Sequence, residues 1–282
     1  MIEKKEKRIT LVTGATSGIG YATADGLLKE GHTVLLLGRS EDRLLLAYRS
    51  LMVLHPEANI KTVLCDLSSQ ESIRNASTIL LKDLDRIDVL INNAGSFASK
   101  RKETKNGFEW QLGINHLGHF YLTHLLLPLI KNSKQGRIIN MSSGSHYKGR
   151  MHWNDLQLKH YRSLKSYGQS KLANVLFTYE LARRLKNINI TVNAVDPGLV
   201  NTNMGEKDTG FLTRFIWSRR KKTGESVKVG ASSSVYLASS EEGGTKSGLY
   251  WKYCKPIHSS KRSYNIDDQL RLWEISTILC EI

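Results

Sequence analysis

Short apolar runs alternate with amphipathic stretches along most of the chain. The apolar runs predict strands at residues 9–13, 33–37, 61–65, 87–91, 137–141 and 190–195. The stretches between them predict a helix from a glycine-rich turn to about residue 30, and further helices at residues 41–54, 71–84, 107–130 and 166–186. Strands that are apolar on both faces and separated by helices indicate a parallel sheet covered on both sides. With right-handed crossovers, the pattern predicts an α/β fold with one doubly wound parallel sheet.

The sequence shows no sign of a domain boundary. It contains only four prolines, no proline-rich or serine-rich linker and no internal repeat. We therefore predict a single domain over residues 1–282, with a substrate lid around residues 199–225 and a short C-terminal segment.

The composition adds a positive charge to this picture. Hydrophobic residues make up 40% of the 282 residues and charged residues 24%, which excludes a disordered chain. The 41 basic and 26 acidic residues give a net charge of +15, which permits a phosphorylated cofactor, an anionic membrane surface or nucleic acid as partner. Because no nucleic-acid-binding motif accompanies this charge and it is spread through the chain, we predict solvated surface lysines and no nucleic-acid partner.

Cysteine usage and the N-terminus bear on location. Cys65, Cys254 and Cys280 form no CxxC pair, so neither a disulfide framework nor a zinc knuckle is indicated. Residues 1–8 are mostly charged, and no run of about 18 apolar residues occurs. We expect a cytoplasmic protein in a reducing compartment. Residues 211–222 leave a peripheral membrane contact open, because apolar positions at helical spacing precede four basic residues.

A glycine cluster directly follows the first predicted strand. Residues 13–20 read TGATSGIG, with the spacing G-x-x-x-G-x-G. Glycines here let the backbone approach a pyrophosphate, and the following helix N-terminus supplies free N–H groups. A plain tight turn is the alternative, but the position after the first strand favours a dinucleotide site. The candidate cofactor-binding residues of this cluster are Gly14, Thr16, Ser17, Gly18, Ile19 and Gly20.

The end of the second strand indicates which dinucleotide is selected. Folds that select NAD usually place Asp or Glu there to bind the ribose hydroxyls, but Gly38 and Arg39 occupy the position here. Arg39 can pair with the 2′-phosphate of NADP, and Ser40 can hydrogen-bond it. Glu41 and Asp42 follow, and we expect the next helix to turn them outward. A solvated loop charge is the alternative for Arg39, and we favour NADP(H) as the cofactor.

Candidate catalytic residues lie in the second half of the chain. Tyr167 and Lys171 are four residues apart on a predicted helix and therefore share a face. Ser142 and Ser143 follow the fifth strand, at the carboxyl end where open α/β sheets bind ligands. Each of these features alone is uninformative, and only their combination with the glycine cluster forms a recognisable set.

Three histidines, His116, His119 and His124, raise the alternative of a metal site. They fall in a helix that should pack on the sheet, and no carboxylate or cysteine completes a ligand set. We therefore predict no metal.

These features together resemble the short-chain dehydrogenase/reductase family. The motifs that carry the resemblance, in the family's order, are residues 13–20, Asp66-Leu67, Asn92-Asn93-Ala94-Gly95, Asn115, Ser143, Tyr167-x-x-x-Lys171 and Pro197-Gly198. The stretches NHLGHF at 115–120 and SKLANVLFT at 170–178, with the insertion before Tyr167, are similar to the retinol dehydrogenase-like branch. The resemblance implies a Rossmann-type fold.

The resemblance also implies a hydride transfer between NADP(H) and a carbonyl or alcohol. Tyr167 would act as general acid toward the carbonyl oxygen, and the Lys171 ammonium would lower the tyrosine pKa, which is about 10 in a free side chain. Ser143 would orient the carbonyl, and Asn115 would maintain the helix geometry and the water of a proton relay. The family places the catalytic serine second, which favours Ser143 over Ser142.

Further cofactor contacts are implied by the same resemblance. Lys171 would hold the nicotinamide ribose together with Tyr167, and Asp66 would contact the adenine amino group. Asn93 and Ala94 would flank the adenosine ribose. The remaining implied cofactor residues are Leu67, Gly95, Pro197, Gly198, Val200 and Thr202, of which the last four would line the nicotinamide carboxamide.

A non-catalytic NADP-binding regulatory or scaffold protein is the main alternative to a carbonyl reductase. The presence of Asn115, Ser143, Tyr167 and Lys171 together argues against it. The small-molecule substrate stays open, because specificity lies in the loops around residues 144–160 and 199–225. Reaction direction and homo-oligomer formation stay open as well.

Overall fold

The computed structural model describes residues 7–200 and 225–282, which form one eight-stranded sheet with surrounding helices. The strands are β1 (Ile9–Thr13), β2 (Thr33–Gly38), β3 (Ile60–Leu64), β4 (Val89–Asn92), β5 (Gly136–Met141), β6 (Ile190–Asp196), β7 (Leu249–Lys252) and β8 (Lys255–Ile257). Their order is β3-β2-β1-β4-β5-β6-β7-β8, and neighbouring strands are parallel except for β7 and β8. The predicted doubly wound sheet is confirmed, with an antiparallel strand added at one edge.

Helices cover both faces of the sheet. They are α1 (Gly18–Lys29), α2 (Glu41–Leu54), α3 (Gln70–Asp83), α4 (Trp110–Leu112), α5 (Gly118–Lys131), α6 (Ser163–Arg184), α7 (Val227–Ser239), α8 (Glu241–Thr245) and α9 (Ile266–Cys280). A π-helical turn, Gly113–Leu117, joins α4 to α5. Short 3-10 helices occur at Gly144–Lys148 and Lys261–Tyr264.

The central strands divide their side chains between two apolar cores. On one face, Leu11 and Leu90 pack with residues of α3, α5 and α6. On the other face, Val12 and Ile91 pack with residues of α1, α2 and α7. Successive strand residues point to opposite faces, so a strand covered on both sides needs apolar residues at nearly every position. The continuous apolar runs of the sequence meet that need.

Two elements differ from the sequence prediction for a clear physical reason. β3 was expected to be apolar on both faces, but Lys61, Thr62 and Leu64 are exposed because β3 is an edge strand. The helix expected from residue 107 begins only at Trp110. Glu109 precedes it, and its carboxylate accepts two backbone N–H groups of the first helical turn, which fixes the start.

The C-terminal segment is not short, as the sequence predicted, but supplies a large part of the fold. Residues 225–282 contribute α7, which packs on α1, the edge strands β7 and β8, and α9, which packs on α6. A Cβ on Gly26 would lie only 2.7 Å from the Val235 side chain, so α1 and α7 approach closely. β7 escaped prediction because it has only four residues, although its Tyr250 and Trp251 are completely buried.

Two arginines cap the C-terminus of α7. They lie at the amino ends of the strands, opposite the predicted site. Arg8 and Arg137 donate hydrogen bonds to the carbonyl groups of residues 237–240. These carbonyls have no partner within the helix, and a positive charge also suits the negative end of the helix dipole. Part of the net positive charge therefore serves the fold.

Residues 201–224 lie outside the described residues, and with them Thr202, most of the expected lid and the amphipathic stretch 211–222. None of the helices in the described parts of the chain has the length and apolar character needed to cross a membrane.

Candidate active site

The loops that follow β1, β4, β5 and β6 lie at the carboxyl ends of the parallel strands and carry most of the candidate site residues. The strand order changes direction at β1, which lies between β2 and β4. Open α/β sheets bind ligands in the crevice at such a switch point. The topology therefore places the glycine cluster and the loop after β4 at the position expected for a ligand.

The turn between β1 and α1, residues 13–20, is here named the nucleotide turn, and its backbone requires glycine. Gly14 and Gly18 have φ angles of +66° and +58°. A Cβ on Gly20 would lie 2.3 Å from the Gly14 carbonyl oxygen, closer than any side chain permits. Ser17 precedes α1 without a side-chain cap, so N–H groups of the first helical turn can bind an anion.

Hydrogen bonds join the nucleotide turn to the loop after β4. Thr13 Oγ1 accepts the N–H groups of Asn93 and Ala94, both at 2.9 Å, and Asn93 Nδ2 donates to the Thr13 carbonyl at 2.8 Å. A Cβ on Gly14 would lie 2.9 Å from Ala94 Cα. Two motifs that are 80 residues apart in the sequence thus form one surface, with Gly95 half-buried at its side.

At the end of β2, Gly38 packs against the nucleotide turn. A Cβ on Gly38 would lie 2.9 Å from Thr16 Cγ2. Arg39 is exposed, and no residue in 7–200 or 225–282 pairs with its guanidinium. Ser40 caps α2 by accepting the N–H of Arg43, and Glu41 is exposed in the first turn of α2 together with the next acidic residue. The Arg39 guanidinium is therefore not neutralised by the described residues.

Asp66 follows β3 and is held by its own loop. Its Oδ1 accepts the N–H and the hydroxyl of Ser68 at 3.0 and 2.8 Å, and Lys105 Nζ lies 4.0 Å from Oδ2. The Leu67 carbonyl oxygen would lie 2.6 Å from a Cβ on Gly118, so the start of α5 approaches this loop closely. The side chain that would meet the adenine is thereby kept in one orientation.

Tyr167 and Lys171 lie one turn apart on α6. Lys171 Nζ is 5.7 Å from the centroid of the Tyr167 ring and donates to the Met141 carbonyl at 3.1 Å. The Tyr167 ring also contacts Phe97 edge to face. Lys171 is only 2% exposed, and this burial lowers its pKa to about 8, against the opposing effect of Asp196. The lysine is therefore charged at neutral pH but close to losing its proton.

Ser143 lies in the loop after β5, residues 142–149, here named the serine loop. Its Oγ accepts the Ser145 N–H at 3.2 Å and is only half-buried. The neighbouring Ser142 is fully buried, and its hydroxyl donates to the Lys171 carbonyl at 2.9 Å. Ser142 is thus engaged inside the fold, which agrees with Ser143 as the candidate that meets substrate.

Asn115 is fully buried in the π-helical turn. Its Nδ2 lies 3.0 Å from both the Ser96 carbonyl and Ser170 Oγ, and its Oδ1 accepts the Ser96 N–H at 2.7 Å. The side chain therefore links the loop after β4 to α6, one residue before Lys171. π-helical turns interrupt the regular helix pattern and are frequent at functional sites.

A comparison with protein families shows to which family the chain belongs. Residues 8–210 match the family model of the short chain dehydrogenases. The chain belongs to the short-chain dehydrogenase family. This family consists of oxidoreductases that bind nicotinamide cofactors, so the expected oxidoreductase class is confirmed.

Curated relatives narrow the branch. Retinol dehydrogenase 14 of Homo sapiens is 38% identical over 292 residues, which cover 96% of this chain and 86% of the relative. Retinol dehydrogenase 11 of Mus musculus is 37% identical over 270 residues, which cover 95% and 85%. The expected membership of the retinol dehydrogenase-like branch is confirmed.

Solved structures share the fold of the dehydrogenase. An uncharacterized protein from Mycobacterium Paratuberculosis matches with a TM-score of 0.79 and 31% identity, over 97% of this chain and 93% of that chain. L-Sorbose reductase from Gluconobacter frateurii matches with a TM-score of 0.68 and 24% identity, over 88% and 95%. The expected Rossmann-type fold is confirmed.

Two glycines that the sequence analysis did not single out join the serine loop to α6. A Cβ on Gly149 would lie 2.3 Å from the carbonyl oxygen of Gly168, the residue after Tyr167. The backbone of the serine loop therefore rests directly on α6 of the dehydrogenase. This contact brings the loop of Ser143 to the helix of Tyr167. A glycine inside a predicted helix was the available signal, because glycine is unfavourable there.

His146 anchors the serine loop on its other side. Its Nε2 accepts the Ser260 N–H at 3.0 Å, so the ring proton is on Nδ1, which donates to the Ser143 carbonyl at 2.7 Å. Burial keeps the pKa of His146 below its usual value, so the ring is neutral. Tyr147 OH donates to the His258 carbonyl. No sequence signal indicated these contacts, because the partners are more than 110 residues away.

Asp196, at the end of β6, is another residue that the sequence analysis missed. Its Oδ1 accepts the Gly198 N–H at 3.0 Å, and Lys252 Nζ lies 4.0 Å from Oδ2. This buried carboxylate raises the pKa of Lys171 and so offsets part of the effect of burial. An acid directly before the Pro-Gly pair was the signal that could have identified it.

A turn at Pro197-Gly198 follows β6. Gly198 has a φ of +79°, and a Cβ there would lie 2.6 Å from Glu225 Oε2. Val200 pairs with Glu225 in an isolated bridge. The turn thus meets the residue at which the described chain resumes.

Two of the three histidines considered for a metal have other partners. His116 Nε2 lies 2.9 Å from Ser276 Oγ, and burial lowers the pKa of His116 to about 3. His119 lies between two loops of the site, and His124 is exposed. Within residues 7–200 and 225–282, no group of three or more His, Cys, Asp or Glu is placed to hold a metal ion.

Proposed function

We propose that this dehydrogenase uses NADP(H) to interconvert a lipophilic aldehyde or ketone and its alcohol. The observation that carries the proposal is the buried Lys171 ammonium 5.7 Å from the Tyr167 ring, on a helix against which the loop of Ser143 packs. A nearby positive charge in a buried site favours the phenolate, so the tyrosine can release and recover a proton near neutral pH.

The described residues fit a nicotinamide dinucleotide. Gly14 and Gly20 of the nucleotide turn leave no room for a Cβ, and the first turn of α1 offers N–H groups to a pyrophosphate. Asp66, Asn93 and Ala94 would hold the adenosine half, whereas Tyr167 and Lys171 would hold the nicotinamide ribose. The residues that complete the proposed cofactor site are Gly14, Thr16, Ser17, Gly18, Ile19, Gly20, Leu67, Gly95, Pro197, Gly198, Val200 and Thr202.

Selection of NADP(H) over NAD(H) is supported by the end of β2. Arg39 is exposed there without a described acidic partner, and Ser40 lies beside it. A guanidinium can bind a 2′-phosphate through paired, charge-assisted hydrogen bonds. The uncharged Gly38 in front of Arg39 leaves the ribose without the carboxylate that an NAD site would offer.

The chemistry follows from three side chains. NADPH, when bound, supplies a hydride to the carbonyl carbon. Tyr167 gives its hydroxyl proton to the carbonyl oxygen, and the phenolate that remains is stabilised by Lys171. Ser143 donates a hydrogen bond to the same oxygen and stabilises its developing charge. In alcohol oxidation the phenolate takes the proton instead, and Asn115 keeps the helix that carries the proton relay in place.

The lipophilic character of the substrate is inferred from the names of the relatives, which are retinol dehydrogenases. A retinal-like aldehyde is the first compound to test. We further propose one domain over residues 1–282 and a cytoplasmic location. A lid over the substrate is favoured for residues 211–222, with a peripheral membrane contact as its alternative.

A panel of aliphatic, aromatic and polyene aldehydes with NADPH tests the reaction, with Tyr167→Phe as the decisive variant. This change keeps the ring and removes the ionisable proton. Turnover should fall at least about 100-fold, which is the usual scale of general acid catalysis, while NADPH binding persists. Near-normal turnover in the variant would refute the role of Tyr167. NADPH binding without turnover of any aldehyde in the wild type would instead favour the non-catalytic alternative.

Nucleotide titrations test the cofactor, with Arg39→Ala and the matched control Arg43→Ala. Both arginines are exposed, but Arg43 lies in the first turn of α2. Loss of a charge-assisted hydrogen bond of about 1.5–3 kcal/mol should weaken NADPH binding more than tenfold in Arg39→Ala and leave NADH binding unchanged. Equal losses for both nucleotides, or an equal effect of Arg43→Ala, would exclude the phosphate contact.

A further inference from the structure

We propose that His119 is a positioning residue that couples the nucleotide turn to the π-helical turn carrying Asn115. The inference rests on the proposed function of the site. It concerns two hydrogen bonds of His119, to Thr13 and to Asn115, that take no part in the hydride or proton transfer. His119 lies in the first turn of α5 and is 2% exposed. One ring nitrogen faces the nucleotide turn, and the other faces the π-helical turn.

The ring of His119 spans the gap between these halves. Its Nε2 lies 2.9 Å from Thr13 Oγ1, at the start of the nucleotide turn. Its Nδ1 lies 3.1 Å from the carbonyl oxygen of Asn115, one helical turn earlier. The cofactor turn and the backbone of the catalytic candidate Asn115 are therefore joined through a single side chain.

The surrounding hydrogen bonds allow only one arrangement of protons. Thr13 Oγ1 already accepts the N–H groups of Asn93 and Ala94, so its hydroxyl must act as a donor toward a third partner. His119 Nε2 at 2.9 Å is a better acceptor for it than the Ile91 carbonyl at 3.4 Å. Because a carbonyl can only accept, Nδ1 carries the ring proton and donates it to Asn115.

The neutral state of the ring is part of the same arrangement. Burial lowers the pKa of His119 to about 4, and the nearby positive charge of Lys171 acts in the same direction. A second proton on Nε2 would point at Thr13 Oγ1, which has no lone pair left to accept it. The histidine therefore holds Thr13 in one orientation, and Thr13 in turn holds the loop after β4 against the nucleotide turn.

Two substitutions separate the two contacts. In His119→Gln, the amide can reach the position of Nε2 and accept from Thr13, but the donor to Asn115 is lost. In His119→Asn, the amide can reach the position of Nδ1 and donate to Asn115, but the acceptor for Thr13 is lost. Each variant thus keeps one half of the coupling.

The expected effects differ in kind. His119→Asn should weaken NADPH binding about 5- to 10-fold and change kcat by less than about 2-fold, since a lost hydrogen bond has this size. His119→Gln should lower kcat about 5- to 10-fold and leave the NADPH Kd within about 2-fold. The matched control is His116→Gln, at a buried histidine three residues before His119 whose ring faces Ser276. It should change neither Kd nor kcat, even where it lowers the Tm.

If both variants change the NADPH Kd and kcat in the same way, or if the control reproduces either effect, His119 serves packing alone and the proposal is overturned. A test that needs no variant to fold is the histidine ring nitrogen NMR spectrum of the wild type. It should show His119 neutral, with the proton on Nδ1, and a signal with the proton on Nε2 would also overturn the proposal. If the wild type reduces no aldehyde, the proposed function fails, while the ring spectrum and the NADPH Kd still decide the coupling.

Discussion

The nucleotide turn and the serine loop lie at the same edge of the sheet but are held in place differently. The nucleotide turn closes on its own glycines, since Gly20 meets the Gly14 carbonyl, and it also contacts the loop after β4, Gly38 at the end of β2 and His119 of α5. The serine loop is held by Gly168 on α6 and by residues 258–260 near the C-terminus.

This difference shows that the two halves of the site depend on different parts of the chain. The nucleotide turn takes its side-chain hydrogen-bond partners from the loop after β4 and from α5, both of which precede α6. The serine loop reaches its position only after α6 and the C-terminal segment have packed. Changes at residues 258–260 should therefore affect turnover more than nucleotide affinity.

The largest expected effects come from a methyl group at the two closest backbone contacts. Gly20→Ala places a Cβ 2.3 Å from the Gly14 carbonyl and should reduce NADPH affinity more than 100-fold. Gly149→Ala places one 2.3 Å from the Gly168 carbonyl and should reduce kcat by at least about tenfold with NADPH affinity kept, since overpacking costs about 1–3 kcal/mol. Calorimetric titration and single-turnover kinetics measure the two. Similar losses of affinity in both variants would contradict the separation of the two regions.

The next effect comes from removing the anchor of the serine loop. His146→Leu leaves the buried Ser260 N–H without an acceptor, which should reduce the free energy of unfolding by about 1–3 kcal/mol and lower kcat about tenfold. His146→Gln, which can still accept from Ser260, is the matched control and should retain most of both. NADPH affinity that falls as much as kcat would count against a local anchor.

The stability that His146 contributes should depend on pH. The pKa of His146 in the fold is below its usual value of about 6.5, so its stabilising effect is complete above that pH. As the pH falls below 6.5, the unfolded chain takes up a proton that the folded chain does not, and stability falls by up to about 1.4 kcal/mol per pH unit. Urea unfolding at pH 7.5 and 5.5 should show a smaller difference between the wild type and His146→Leu at the lower pH.

Lys171 should set the basic limb of the pH profile of carbonyl reduction. Its pKa of about 8 means that the ammonium is present below that pH and is lost above it. The kcat/KM of carbonyl reduction should fall by up to about tenfold per pH unit above pH 8, as one ionisation requires. In Lys171→Arg the charge persists, so the remaining activity should show no such limb. A limb that is unchanged in Lys171→Arg would assign it to another group.

The smallest effect is expected from the outer contact of the serine loop. Tyr147→Phe removes a hydrogen bond to the His258 carbonyl from a side chain that is 43% exposed. Water can replace the hydroxyl at such a position, so the unfolding free energy should fall by no more than about 1 kcal/mol and kcat by less than about 3-fold. A loss as large as that of His146→Leu would show that Tyr147, and not His146, is the main anchor.

The sequence prediction was accurate for elements held by residues that are near in sequence and failed for elements held by distant residues. The predicted limits of α2 were correct, since Ser40 caps the helix locally and its apolar residues recur at helical spacing. The strands β7 and β8 were missed, because they are short and Trp251 and Tyr250 are buried by residues distant in sequence. Of the site, Arg39 could be named from its place after the second strand, and the pair Tyr167 and Lys171 only from its combination with the glycine cluster and Ser143. His119 and His146 could not, because only their partners give them a role.

The sequence by itself determined the α/β alternation, the nucleotide turn and the residue types that the reaction needs. Each of these depends on periodicity or on residues that are neighbours along the chain. Only the tertiary structure decided which nitrogen of His119 and His146 carries the proton, and how far burial and Asp196 shift the pKa of Lys171. The physical reason is that proton positions and pKa values depend on solvent exclusion and on partners tens of residues away, which no local pattern specifies.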